Sequence, residues 1–217
     1  MRFPIQDEAI LAEASYSTNR ITSPKVMHSC PHQDVQAHIL EGDILLLPGS
    51  NSIRDYLHYN LRPLRLGHQR LKMGDDTSAK GHSGTTWHQG FLAYSLVIFD
   101  WLKTLDITPK FIIGHSLGAA AAQILSKSYG APGIGFAAPR PKLVKGPVKH
   151  DDKCLLINRF DDLVPKLPGA FNHMGQVKEL AVDPKRRFPA HAMKHYRQIV
   201  DLGQESGSLP GHWAGNS

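Results

Sequence analysis

Short apolar runs alternate along this chain with longer segments whose apolar residues recur every three or four positions. The first run, DILLLPGS, is apolar without alternation and closes with Pro48 and Gly49, which is typical of a strand buried on both faces. Strands are predicted for this run and four others, at 43–50, 111–114, 133–138, 153–160 and 177–182. The alternation predicts an α/β fold with a mostly parallel central sheet flanked by helices.

Helical periodicity fills most of the chain between these runs. The clearest helix is 88–105, where every third or fourth residue is apolar: Phe91, Tyr94, Ile98, Trp101, Leu102 and Leu105. Further helices are predicted at 5–17, at 51–61, from Leu117 onward and at about 190–202.

Two segments lack clear periodicity. Residues 62–86 are polar and rich in glycine, which predicts a long exposed loop. The tail, 203–217, is expected to be flexible, although Trp213 offers a large side chain for docking. The 217 residues fit a single domain, 1–217.

The formal net charge of +6 indicates either a solvated basic surface or attraction to an anionic partner such as an acidic membrane surface. No arginine-rich block or RNP-like motif occurs, so we expect no nucleic-acid partner. The sequence leaves the oligomeric state open, and it leaves open whether Cys30 and Cys154 form a disulfide.

The N-terminus, MRFPIQDEAILAEASYS, has no apolar h-region, so no signal peptide is evident. No run approaches the ~20 apolar residues that a membrane span requires. A cytoplasmic location is the default expectation, with export by another route left open.

The segment FIIGHSLGAAAAQIL places Ser116 between Gly114 and Gly118, where a strand is predicted to become a helix. A Gly-x-Ser-x-Gly motif in this setting forms a sharp turn that presents the serine hydroxyl at the carboxyl end of the sheet. Side chains at the two glycines would collide with neighbouring backbone. Ser116 is therefore a candidate nucleophile, and the alternative is a tight turn with an idle serine.

A serine nucleophile needs a base, and the base needs an orienting carboxylate, in the chain order Ser, Asp or Glu, His. Asp161 and Asp162 follow the apolar run that ends near 160, and His191 and His195 stand at the start of the last predicted helix. The residues alone do not decide within either pair. The oxyanion hole would use the N–H groups of Leu117 and of Ser50, which is equally suited to cap a helix.

The histidine-rich composition raises the question of a metal site. His28, Cys30 and His32 lie close together in HSCPHQD, but no partner pair with zinc-ligand spacing is evident. We expect no metal and no organic cofactor.

Five segments stand in order along the chain: PGSNSIRDYL, WHQGFLAY, GHSLGAA, DLVPKLP and HAMKHY. In these segments, over about residues 40–200, the chain resembles the class 3 lipases of the α/β-hydrolase superfamily. It departs from the family pattern at Ala119, where a further glycine is usual, at Pro48, which replaces an arginine, and at Tyr56, which replaces a tryptophan.

This resemblance implies a triad of Ser116, Asp162 and His191, with Asp162 chosen over Asp161 and His191 over His195. FNHMGQV resembles a family segment that is not catalytic, which counts against His173. The implied fold is the α/β-hydrolase fold, and the implied reaction is hydrolysis of carboxylic, lipid-type esters through an acyl-enzyme.

Family lipases cover the site with an amphipathic lid, whereas the corresponding interval here, GHQRLKMGDDTSAKGHSGTT, is polar. The sequence therefore favours an esterase or a phospholipase-like enzyme over a strongly interface-activated lipase. Two alternatives stay open: a catalytically silent hydrolase-like binding protein, and an acyltransferase that uses an acceptor other than water.

Overall fold

The computed structural model describes residues 3–49, 64–66, 69–71, 78–181 and 191–215. The α-helices in these ranges are α1 (Ile5–Ala14), α2 (Gln89–Thr104), α3 (Leu117–Tyr129) and α4 (Met193–Glu205), with short 3₁₀ helices at Thr18–Arg20, Asp151–Lys153 and Val164–Lys166. The strands are β1 (Phe3–Pro4), β2 (Val26–Ser29), β3 (His38–Leu40), β4 (Ile44–Leu47), β5 (Leu64–Leu66), β6 (Gln69–Leu71), β7 (Ser78–Lys80), β8 (Thr86–His88), β9 (Phe111–His115), β10 (Gly133–Phe136), β11 (Cys154–Arg159), β12 (Gln176–Leu180) and β13 (His212–Trp213).

A central sheet of seven strands in the described ranges has the order β12-β11-β10-β9-β4-β3-β2. The strands from β12 to β4 run parallel, and β3 and β2 are added antiparallel at one side. The predicted fold class, an α/β fold with a mostly parallel sheet, is confirmed. The arrangement brings the carboxyl ends of β4, β9, β10 and β11 to one edge, where α/β proteins bind ligands.

Each face of the sheet carries its own apolar core. On β9, Ile112 points into the core under α2 and α3, whereas Phe111 and Ile113 point into the core under α1 and α4. Every residue of β4, β9, β10 and β11 is buried. Burial on both faces explains why these strands appear in the sequence as continuous apolar runs.

The predicted strands and helices within the described ranges are confirmed, with shifted ends. Helix 88–105 is observed as Gln89–Thr104, and helix 5–17 is shorter, as Ile5–Ala14. The last helix begins at Met193 and extends to Glu205, beyond the predicted end at 202. The helix predicted at 51–61 lies outside the described residues.

The prediction of a long exposed loop at 62–86 was wrong about the loop in the described parts, which contain paired strands, but right about the exposure of most of 78–86. The backbones of β5 and β6 pair, and β7 pairs with β8, both antiparallel. Ser78, Lys80 and residues 82–84 are exposed, as expected. Strands of three residues are too short to produce a recognisable alternation in sequence, and the same limit hid β3.

The described part of the C-terminal tail, residues 203–215, contains defined elements. α4 continues to Glu205, and β13 pairs with β1. The Trp213 side chain is buried, and its indole N–H donates a hydrogen bond to the carbonyl oxygen of Lys153 at 3.2 Å. The buried Trp213 side chain and the pairing of β13 with β1 therefore attach this segment to the rest of the fold.

One carboxyl group lies inside the core under α1. Glu8 is 0% exposed, and neither of its side-chain oxygens has a hydrogen-bond partner among the described residues. Burial, helped by the charge of Asp7, holds the pKa of Glu8 well above its usual range. The folded protein therefore keeps Glu8 protonated at pH values where the unfolded chain releases the proton, so stability is lost as pH rises above the ordinary carboxyl range.

We predict that Glu8→Met raises the free energy of unfolding by about 1–3 kcal/mol at neutral pH, because it removes an unpaired buried polar group. The gain over wild type should be smallest near pH 4 and grow as pH rises to 8, as measured by urea unfolding at each pH. The control is Glu13→Met on the same helix, where the carboxylate is partly exposed and pairs with Arg197. A gain that is independent of pH, or shared by the control, would contradict the prediction.

Candidate active site

The turn between β9 and α3 holds Ser116 in a backbone conformation that few side-chain-bearing residues adopt. Its φ is 56° and its ψ is −120°. Such a conformation costs roughly 1–3 kcal/mol and persists only where surrounding contacts enforce it. Here the Ser116 N–H donates to the carbonyl oxygen of Phe136, and the Ser116 carbonyl accepts from the Ala119 N–H, both at 2.9 Å.

The flanking glycines are required by close backbone contacts. A Cβ atom on Gly118 would collide with the carbonyl group of Leu47 at the end of β4, and a Cβ on Gly114 would collide with the backbone of Gly118. A Cβ on Gly49 would lie 2.8 Å from the Cβ of Ser116. The crowding expected at Gly114 and Gly118 is therefore present. The absence of side chains at Gly118 and Gly49 lets the end of β4 lie directly against the serine turn.

Three side chains from distant parts of the chain form a continuous hydrogen-bonded series at this turn. His191 Nε2 lies 2.8 Å from Ser116 Oγ, and His191 Nδ1 lies 2.9 Å from Asp162 Oδ2. Because a carboxylate can only accept a hydrogen bond, His191 Nδ1 carries the ring proton and donates a hydrogen bond to Asp162. The other ring nitrogen, Nε2, is then free to accept a hydrogen bond from the Ser116 hydroxyl. This arrangement can raise the nucleophilicity of a hydroxyl.

Asp162 is 2% exposed, yet its carboxylate has several donors. Oδ2 accepts from His191 and from the Tyr196 hydroxyl at 2.8 Å, and Oδ1 accepts from the Val164 N–H at 3.0 Å. Burial opposes ionisation, but the hydrogen bonds, together with the attraction of the His191 ring when it is protonated, outweigh it and hold the Asp162 pKa below its usual value. The group is therefore an anion at neutral pH.

The neighbouring candidates have other partners. Asp161 accepts two hydrogen bonds from the Arg159 guanidinium, at 3.0 and 2.8 Å. His195 lies on α4 and is 9% exposed, and its carbonyl oxygen accepts from Arg159 Nη1 at 3.4 Å. His191 stands two residues before α4 begins, on the turn rather than on the helix. The structure thus places Asp162 and His191, not their neighbours, in the series with Ser116.

Three other residues were weighed from the sequence: the two candidate oxyanion donors, Leu117 and Ser50, and His173. Leu117 is the first residue of α3, so its N–H lies at the positive end of that helix beside Ser116. Ser50, the other candidate oxyanion donor, lies outside the described residues. His173 donates to the Ala138 carbonyl at 2.8 Å, and burial lowers its pKa to about 4.

Sequence reasoning missed a second series of hydrogen bonds through Tyr16 and His115. The Gly49 N–H donates to the Tyr16 hydroxyl at 3.0 Å, and that hydroxyl lies 2.5 Å from His115 Nδ1. His115 Nε2 lies 3.0 Å from the His191 carbonyl oxygen, which can only accept, so Nε2 donates and Nδ1 accepts.

This series requires a neutral His115. Burial, reinforced by the His191 charge, lowers the pKa of His115 to about 3. The series therefore stays intact at neutral pH and ties the end of β4, the serine turn and the backbone of His191 together. Its sequence signal was weak: His115 lies inside the Gly-x-Ser-x-Gly motif without an assigned role, and Tyr16 belongs to a segment that matched no motif.

Three further features are absent from the described ranges. They contain no group of three or more His, Cys, Asp or Glu residues placed to hold a metal ion. Cys30 and Cys154 are not bonded to each other. Within the same ranges, helices long and apolar enough to cross a bilayer are absent.

Comparison with known proteins gives matches in structure alone. No protein-family model and no curated protein sequence matches the chain. A fungal lipase–inhibitor complex, described as a model for interfacial activation in lipases, matches with a TM-score of 0.52 and 20% identity over 82% of this chain and 81% of that one. Nonglycosylated LIP2 lipase of Yarrowia lipolytica matches with a TM-score of 0.51 and 18% identity, over 82% and 78%.

The Rhizomucor miehei lipase–propeptide complex is also similar, with 18% identity and a TM-score of 0.49, and this chain spans 66% of its length. The two higher-scoring matches show that the chain has the α/β-hydrolase fold of the fungal lipases. These two matches confirm the expected fold.

We predict that Tyr16→Phe slows covalent labelling of Ser116 by a fluorophosphonate about tenfold, equivalent to roughly 1.4 kcal/mol. The change leaves the Gly49 N–H and His115 Nδ1 without the hydroxyl that joins them, and unpaired buried groups cost roughly 1–3 kcal/mol. The control is Tyr94→Phe, which removes a buried hydroxyl that donates to the Gln36 carbonyl at 3.1 Å. Equal labelling rates in the two variants would show that Tyr16 has no positioning role.

Proposed function

We propose that the protein is a carboxylic ester hydrolase that cleaves lipid-type esters through an acyl-enzyme on Ser116. The observation that carries this proposal is the hydrogen-bonded series Ser116–His191–Asp162, with links of 2.8 and 2.9 Å. The strained turn at Ser116 and the fold of the fungal lipases support it. No step in the proposed reaction uses a metal or an organic cofactor.

The reaction begins when Ser116 Oγ attacks the ester carbonyl carbon and His191 Nε2 accepts the hydroxyl proton. Asp162 stabilises the resulting imidazolium and holds its Nδ1–H in place. His191 then gives the proton to the leaving alcohol, which leaves an acyl group on Oγ. Water, deprotonated by His191, attacks the acyl carbon, and the acid leaves as Ser116 regains its proton.

The negative charge that forms on the carbonyl oxygen needs donors in fixed positions. We assign these to the N–H of Leu117, at the start of α3, and to the N–H of Ser50. Gly49, the residue before Ser50, supports the second assignment because Tyr16 and the contact with Ser116 hold its backbone against the nucleophile. Losing one such donor costs roughly 3 kcal/mol of transition-state stabilisation.

Access to the nucleophile bears on the substrate. Ser116 is 1% exposed, whereas the His191 side chain is 16% exposed. The polar composition of 67–86 favours an esterase or phospholipase-like activity over a triacylglycerol lipase that depends on a greasy lid.

The test is hydrolysis of nitrophenyl esters, triacylglycerols and anionic phospholipids by wild type beside Ser116→Ala. We expect turnover of short-chain esters below their solubility limit, and its loss in the variant. A folded wild type that a fluorophosphonate does not label would instead identify a silent binding protein. Preferential formation of new esters when alcohols are added would identify an acyltransferase.

Neighbouring residues offer a matched test of the roles. We predict that Asp162→Asn lowers kcat roughly 10⁴-fold, whereas Asp161→Asn, which can still accept from Arg159, keeps most of it. His191→Ala should abolish turnover, and His195→Ala should not. Steady-state kinetics on folded variants decides the matter, and equal losses within either pair would refute the assignment.

A further inference from the structure

The turn that carries Asp162 also presents two exposed apolar side chains and a lysine: Phe160, Leu163 and Lys166, which together we call the acid-loop knuckle. Phe160 is 64% exposed and Leu163 is 63% exposed, the two highest values among the large apolar side chains of the described residues. They immediately flank the two aspartates, so the knuckle lies at the rim of the candidate active site.

The inward contacts of the turn keep these side chains outside. Asp161 is held by Arg159, and Asp162 is held by His191, Tyr196 and the Val164 N–H. The Phe160 N–H donates to the Leu180 carbonyl at 3.1 Å, which fixes the start of the turn. With the Asp162 carboxylate turned inward, Phe160 and Leu163 remain in water, where apolar surface is unfavourable.

A cation accompanies the apolar pair. Lys166 Nζ lies 4.8 Å from the centroid of the Phe160 ring and donates a hydrogen bond to the Phe160 carbonyl oxygen at 2.8 Å. The nearby Asp161 carboxylate is neutralised by Arg159 at 2.8 Å, so it does not cancel the lysine. The whole chain carries a net charge of +6.

We propose that the acid-loop knuckle is the point at which the protein docks on an anionic lipid surface. Phe160 and Leu163 enter the boundary between headgroups and acyl chains, and Lys166 binds lipid phosphate. This inference rests on the proposed lipid-ester hydrolysis, because it brings the ester source to the rim of that site. The docking point is fixed to the turn that holds Asp162, so it does not depend on a greasy lid.

Size favours a lipid surface over a protein partner. A stable protein interface buries roughly 800 Å² on each side with matching shape. Two exposed apolar side chains and one lysine supply much less than this. A fluid lipid surface needs no matching shape, and an aromatic side chain with an adjacent cation suits its headgroup region.

The test measures co-sedimentation with vesicles of phosphatidylglycerol and phosphatidylcholine, with every protein carrying Ser116→Ala so that the lipid stays intact. We expect Phe160→Ser to weaken partitioning roughly tenfold. Lys166→Gln should weaken it roughly fivefold on anionic vesicles and leave weak binding to pure phosphatidylcholine unchanged. The matched control is Met27→Ser on the far edge strand β2, where Met27 is 56% exposed.

A second measurement does not depend on losing an interaction. Phe160→Trp should shift its fluorescence to the blue on anionic vesicles, since the three native tryptophans are already buried at 1%, 8% and 6% exposure. No shift, or equal binding by Phe160→Ser and Met27→Ser, would overturn the proposal. Because these assays read binding by an inactive protein, they can fail while ester hydrolysis holds, and the reverse.

Discussion

The close contact between α3 and the end of β4 is the constraint on which the rest of the site depends. Gly118 lies so near the Leu47 carbonyl that no side chain fits between them. This contact sets the start of α3 directly behind β4, and Ser116, between β9 and α3, adopts a positive φ of 56° at the same turn. The contact between Gly118 and the Leu47 carbonyl therefore helps to position both the candidate nucleophile and the backbone at Gly49.

A second constraint is the burial of a charge. The Asp162 carboxylate would be strongly unfavourable in the interior without partners, and its donors come from different elements: His191, Tyr196 of α4 and Val164 of the adjoining turn. Satisfying the carboxylate thus orders α4 against the end of β11. The same turn leaves the Phe160 and Leu163 side chains exposed to solvent. One turn therefore both buries the Asp162 carboxylate and exposes these two apolar side chains.

The N-terminal segment contributes more than packing. Helix α1 lies against α4, with a hydrogen bond from Gln6 to Asp201 and an ion pair between Glu13 and Arg197. Tyr16, just beyond α1, then reaches the serine turn through His115. Exposed pairs of this kind contribute little stability, so the buried bonds of Tyr16 and His115 are the stronger link between this segment and the site.

The sequence by itself determined the main strands, the sharp turn at Ser116 and the chain order Ser, Asp, His. It could do so because burial on both faces of a strand and the glycines of a tight turn leave local patterns. It missed β3 and the short hairpins, which are below the length of a readable period. From the residues alone, Asp161 and Asp162 were equally good candidates for the acid, and His191 and His195 for the base. A family resemblance was needed to choose between them. Only the tertiary structure shows which residue of each pair joins the hydrogen-bonded series with Ser116, and only it reveals the role of Tyr16, because these contacts join residues 29 to 99 positions apart and no local pattern encodes their meeting.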